Sequence, residues 1–528
     1  MVAPDRGFLG NEEIQEAFDE FAQGRNAWLV FATDERTRGM IDTALAKLVE
    51  AGARRVAVLP FFISPAQPRF ALVKASLAPE TEEALDLPVP VSWGRAFGES
   101  YLAVEVLADH FRALRDPAGR SVVVVGCGAG DAESRQRMEA DWQRIAERAA
   151  EGFGFASIRA LVWPEPWLDG TEELEKAAER ELLQLLEKGT RPVVVPFHLG
   201  KKLDSMMSFT ASLRRLLPAS AELIDGEVTP HPAVAAWMAR EANRFVPLHP
   251  EEIGVVFLAH GSDYHWNETM RESVRSLSDR YKIEFAFCMA DPPLVERAVH
   301  RLEDRGARAI VVVRVFGLAA NFQESVERML GLDVEKPRAA HGHDHGHGHV
   351  AGPPGPRIRS SALLATAGGL EDHPLFARAL LDRAQTLSRD PARETVILVA
   401  HGSGDDSRNA HWGHLLESLA DQMRADGGAK FRAIHAATWR EDWPDKREPE
   451  VAAVRRMVEE AARDGGRAIV IPARTTGQGM EEHFLKGLNF DLGVGFAPHP
   501  LFASWVEEQI QAGIAALGIT RTDAALSP

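Results

Sequence analysis

The sequence predicts an α/β protein of four tandem parallel sheets flanked by helices, arranged as two bilobal halves. Three observations carry this. A strand-like phrase ending in Ala-His-Gly-Ser occurs twice, as V-V-F-L-A-H-G-S through Ser262 and V-I-L-V-A-H-G-S through Ser403. Around both, continuous β-branched runs alternate with amphipathic helical stretches, the pattern of strands buried on both faces. Finally, similar His-Pro helix starts recur at His231, His373 and His499, where each of three segments closes.

Composition narrows the classes. A chain of 528 residues has room for three or four domains of ordinary size. With 45% hydrophobic and 26% charged residues it reads as globular, and a net charge of -17 argues against a nucleic-acid-binding face. Cys127 and Cys288 cannot build a disulfide framework. No apolar run reaches the ~18 residues of a membrane span, and M-V-A-P-D-R-G-F-L-G lacks a secretory pattern. A cytoplasmic protein with neither nucleic-acid nor membrane partner is expected.

The segments follow in chain order. Segment one, 1–118, matches the frame from Asn11 onward, but Pro4 falls where a strand-end histidine belongs. Its leading strand is expected to be missing, unless the gene start lies upstream of Met1. Segment two, 119–247, opens with S-V-V-V-V-G-C-G-A-G-D and carries Cys127 in place of the histidine. Segment three, 252–390, runs G-V-V-F-L-A-H, a helix, K-I-E-F-A-F, a helix over P-L-V-E-R-A-V-H-R-L-E, then A-I-V-V-V-R-V-F. Segment four, 393–518, repeats that plan from T-V-I-L-V-A-H-G-S. The spacing of Trp163 and Trp167 before Pro196 recurs in Trp439 and Trp443 before Pro472, so segments two and four correspond, as expected of a two-segment half duplicated into 1–247 and 252–528. Within segment three, H-G-H-D-H-G-H-G-H places imidazoles at His341, His343, His345, His347 and His349, followed by G-P-P-G-P. Alternating histidines in a Gly/Pro-rich stretch read as a surface loop that binds transition metals loosely.

In open parallel sheets ligands sit beyond the carboxyl ends of the strands. His260 and His401 project from that edge, the following glycine permits a tight turn, and Ser262 or Ser403 is positioned to cap the next helix. His435 reads as the end of the second strand of segment four, and His483 follows its third. His401, His435 and His483 thus form the candidate cluster, with Glu481 and Glu482 as proton acceptors. Arg314, Arg440 and Arg474 lie near strand ends as candidate cations for an acidic ligand, and the tryptophan pairs as candidate stacking surfaces. The His-Pro starts read as helix N-termini with proline in the first turn.

The V-A-H-G-S phrase, the G-A-R-A-I-V-V-V strand and the A-D-P-P-L-V-E-R-A-V helix resemble the sirohydrochlorin cobalt/iron chelatase family of the class II chelatase superfamily, in four tandem divergent copies. The resemblance implies a chelatase-like (flavodoxin-like) fold. It also implies ATP-independent insertion of cobalt, iron or nickel into sirohydrochlorin or a related tetrapyrrole, as in siroheme or cobalamin biosynthesis. Carried over by position, the family's metal-binding histidine is His260 in segment three and His401 in segment four. The family's second histidine is missing from V-R-V-F-G-L-A-A-N-F-Q-E-S and displaced to His483 in segment four. Segment four is therefore the expected active copy, with His401 as principal ligand and His483, His435 and Glu482 assisting. A divalent metal is substrate, and no nucleotide is expected. The partner is a small-molecule tetrapyrrole, and the chain is a monomer with internal pseudo-dimers or a homo-oligomer. The alternatives are a non-catalytic metal or tetrapyrrole delivery protein and a structural pseudoenzyme.

Overall fold

The β-branched runs become strands of small parallel sheets whose order follows one rule. A computed structural model describes residues 1–77, 89–165, 170–200, 208–335 and 355–518. The strands are β1 (Val2–Pro4), β2 (Val30–Ala32), β3 (Val56–Val58), β4 (Val91–Trp93), β5 (Ser121–Ala129), β6 (Ser157–Pro164), β7 (Val193–Val195) and β8 (Glu222–Leu223). They continue as β9 (Ile253–Ala259), β10 (Lys282–Phe287), β11 (Ala309–Val315), β12 (Leu363–Gly368), β13 (Glu394–Ala400), β14 (Ala433–Thr438), β15 (Arg467–Pro472) and β16 (Phe490–Leu492). Three sheets have four strands, in the orders β6-β5-β7-β8, β10-β9-β11-β12 and β14-β13-β15-β16. In each, the first strand of the set lies in the middle and its pairings are parallel. The central strands β9, β11 and β13 are buried throughout, which is why they carry no polar alternation.

The leading strand expected to be missing from segment one is present in short form. β1 pairs with β2, and Val2 also donates to Leu59 O at 3.0 Å and accepts from Phe61 N at 2.8 Å. Three residues are too few to register as a periodic run, yet enough to fill the central position of that sheet.

The chain forms two compact units, one containing Met1–Leu248 with Glu327–Leu363, the other His249–Val326 with Leu364–Gly518. Residues 327–363, which the sequence places in segment three, cluster with the first unit. Within that unit, fully buried Arg357 lies 2.9 Å from Asp333, 3.6 Å from Glu105 and 3.9 Å from Glu151. Tyr101 Oη donates to Ile358 O at 2.7 Å, and its ring lies so close to Gly331 (φ +74°) that a Cβ there would sit 2.2 Å away. The histidines His341–His349 and Trp167 lie outside the described residues.

In the second unit the closing helices are exchanged between neighbouring sheets. Helix Pro374–Leu387 follows β12 but packs on β15, whereas Pro500–Ala516 follows β16 and packs on β11. Gly513 makes that approach possible, since a Cβ would stand 2.3 Å from Val311. The two sheets consequently share one core that includes Phe257, Val311, Leu398, Ile469, Phe502 and Trp505.

The His-Pro reading holds at all three sites. His231, His373 and His499 are N-caps whose Nδ1 accepts from Ala233, Leu375 and Leu501 N at 3.2 Å, with proline in the first turn. Each Nε2 faces a carboxylate: Asp109 at 3.3 Å, Glu508 at 3.1 Å and Asp382 at 3.7 Å. His499→Ala should cost about 1 kcal/mol, the usual value of a lost cap, and His499→Asn should restore most of it. Chemical denaturation of both variants measures this, and equal loss in the two would reject the capping role. No helix among the described residues is long and apolar enough to cross a membrane.

Candidate functional site

The edge of the fourth sheet brings together an imidazole, two carboxylates and two indoles. His401 follows β13 directly and its side chain is 33% exposed. Its Nδ1 donates to Gly402 O at 2.9 Å, and Nε2 lies 3.0 Å from Asp442 Oδ2 and 3.7 Å from Glu441 Oε2. With acceptors at both ring nitrogens, the position facing Nε2 favours a cation. The ring stacks on Trp412 (centroids 6.3 Å apart, planes 28° apart) and meets Trp443 edge-on at 5.9 Å. Trp443 lies over Gly404, where a Cβ would fall 2.2 Å from its Nε1.

The loop after His401 is pinned. Asp405, not Ser403, caps the following helix by accepting from Arg408 N at 2.8 Å, and Asp263, not Ser262, does so in the third sheet at 2.9 Å. The two serine amides instead donate to Asn409 and Asn267. Hydrogen bonds from Lys446 and Arg440 hold the Asp406 carboxyl down to about 2.

The other expected site residues fall elsewhere. His435 is not at a strand end. It stands opposite Ile397 and three residues before Thr438, roughly 13 Å along the strand from the level of His401. In the short helix Glu481–Phe484 successive side chains turn by about 100°, so burying Glu481 sends Glu482 and His483 into solvent. Glu481 itself accepts from Gly479 N and from Trp439 Nε1 at 3.4 Å. Among the described residues, no group of three or more His, Cys, Asp or Glu side chains is gathered to hold a metal ion. The expected His401–His435–His483 cluster therefore does not form. Nor are the arginines available to an acidic ligand. Arg314 holds Thr366 Oγ1 at 3.1 Å and Ala319 O, Arg440 holds Ser403 O at 2.7 Å, and Arg474 pairs with Glu441. Trp163 and Trp439 are buried in the core, which leaves Trp443 as the described member of the pairs beside the site.

His260 occupies the corresponding edge of the third sheet, exposed, with Nδ1 on Gly261 O at 2.6 Å. Counting from the paired strand ends Thr438 and Phe287, Ala290 stands where Glu441 stands in the fourth sheet. Residues 254–387 match the CbiX family model. Over that stretch the chain is similar to CbiX domains, of the sirohydrochlorin chelatase type. The CbiX match contains His260 and ends before His401. No curated protein matches the chain.

At the edge of the second sheet a guanidinium fills the space. Buried Cys127 accepts from Arg6 Nη2 at 2.9 Å, Arg6 Nη1 lies 3.3 Å from Glu165, and Arg69 reaches the same carboxylate at 3.4 Å. Burial pushes the Cys127 thiol up, against the opposing charge of Arg6. His198 is buried nearby, with Nδ1 on Leu199 O at 3.2 Å and, among the described residues, no partner for Nε2. Burial first, and then the charge of Arg6, lower its pKa to about 3. A histidine folded neutral below its unfolded value takes up protons on unfolding, so its contribution fades as pH falls from about 6.5 toward 3. At pH 5 the loss should be about 2 kcal/mol, and His198→Leu should flatten the acid limb of a pH–stability curve. An unchanged acid limb would reject this assignment.

Proposed function

We propose that the chain inserts a divalent transition metal into a sirohydrochlorin-type tetrapyrrole without a nucleotide, at the edge of the fourth sheet. The CbiX domain supports the reaction class. The observation that carries the location is the His401 imidazole beside Asp442 and Glu441, between the indoles of Trp412 and Trp443.

His401 Nε2 takes the incoming metal, to which neutral imidazole is suited for cobalt, iron or nickel. Insertion exchanges one divalent cation for the two pyrrole N–H protons of the macrocycle. Asp442 and Glu441 accept these protons near the reacting nitrogens. Asp442, exposed and with Oδ2 3.0 Å from His401 Nε2, is the first acceptor, and Glu441 is oriented by Arg474. Trp412 and Trp443 supply flat apolar faces on which the macrocycle rests.

Sirohydrochlorin mixed with Co(II), Fe(II) or Ni(II) and followed by absorbance tests the reading. Insertion faster than the uncatalysed rate with at least one metal is expected. Tight binding of the tetrapyrrole without turnover would instead favour a delivery protein.

A further inference from the structure

We infer that the first unit carries a separate binding site for clustered carboxylates. Its basis is an open cavity of about 650 Å³ lined by Arg95, Arg137, Arg144, Glu99, Asp141 and Val334, together with Pro65 and Ala66. The cavity lies beyond the carboxyl ends of β3 and β4, since Pro65 and Ala66 follow β3 and Arg95 and Glu99 follow β4. That is the edge at which parallel sheets receive ligands, in the sheet that has no strand-end histidine. The opposite wall is one face of the helix Ala132–Ala149, where Arg137, Ala140, Asp141 and Arg144 recur at three- and four-residue spacing.

Arg137 and Arg144 stand beside Glu99 and Asp141 there, in a chain whose net charge is -17. The carboxylates already have neutral donors: Glu99 accepts from Ala96 N at 2.7 Å and Asp141 from Ser64 Oγ at 2.6 Å. Arg144 is aimed by Gly98 O at 3.2 Å, with Asp141 at 3.5 Å. The ion pair of Arg137 with Glu133 is 3.3 Å long with both side chains more than half exposed, so solvent screens it and a ligand readily replaces it. Forked guanidinium donors match carboxylates two bonds at a time, which selects a molecule bearing several of them. Two sources share that chemistry: a small polycarboxylate, and the carboxylate-bearing rim of a tetrapyrrole.

Calorimetric titration of the full chain with citrate and, separately, with uroporphyrin I distinguishes them, with acetate as the single-carboxylate control. Arg137→Glu and Arg144→Gln are expected to weaken binding of the recognised probe at least tenfold, with acetate not binding. Arg137 is exposed on a helix surface, so its replacement leaves the fold, checked by circular dichroism, unchanged. His401→Ala should leave this binding intact, which separates the site from the proposed insertion centre. Citrate binding assigns a small-acid pocket, and uroporphyrin binding alone assigns the macrocycle rim. Binding of neither probe, or binding that both arginine variants retain, would overturn the site.

Discussion

His401→Ala should lower the rate of metal insertion into sirohydrochlorin by on the order of 100-fold or more, since the imidazole that takes the metal is lost and removing even a group that only orients a metal ligand costs about 10- to 100-fold. The side chain is one-third exposed and its contacts are with Gly402, Glu441, Asp442 and the indoles of Trp412 and Trp443. Its removal therefore spares the core, and an unchanged unfolding midpoint should accompany the loss. Asp442→Asn keeps the shape and removes the proton acceptor, so it should reduce the rate less and move its pH profile. His435→Ala and His483→Ala should stay within about twofold of wild type, because both side chains are exposed away from the His401 contacts. His260→Ala is the sharpest comparison, since His260 lies in the CbiX match yet has no Glu441 counterpart. Loss of activity in His260→Ala with none in His401→Ala would move the centre to the third sheet.

Arg357→Ala should destabilise the first unit by about 3–5 kcal/mol, the cost of leaving a buried charge uncompensated. Arg357 and Glu105 are both fully buried, and Asp333 and Glu151 converge on the same guanidinium. Arg112 stays 2.6 Å from Glu105, so the carboxylate keeps one partner and the loss should fall toward the lower end. Combining Arg357→Met with Glu105→Gln replaces the charges by uncharged groups of similar volume and should recover part of it. Urea denaturation of the two variants measures both effects. A loss under about 1 kcal/mol for Arg357→Ala would show that the network does not hold 327–363 in the first unit.

Much of the fold was legible because it rests on local pattern. Continuous β-branched runs such as V-I-L-V-A announced buried parallel strands, and His-Pro announced helix starts that the imidazole caps do form. β1 is not legible in the sequence because three residues carry no period. The site was legible only in part. The sequence places His401 at a strand edge, but nothing in its local pattern singles out the E-D pair between Trp439 and Trp443. Residue type alone does not give reach, which strand register governs: His435 sits mid-strand opposite Ile397, and burial of Glu481 turns His483 outward.

By itself, the sequence determined the α/β class, the strand edge at which His401 stands, and the capped starts of the closing helices. Each of these depends on residues a few positions apart. Only the tertiary structure decided that helices 374–387 and 500–516 exchange sheets, that 327–363 joins the first unit, and that Glu441 and Asp442 rather than His435 and His483 meet His401. These contacts join residues that periodicity cannot relate, because they arise where buried surfaces and buried charges find their complements across space.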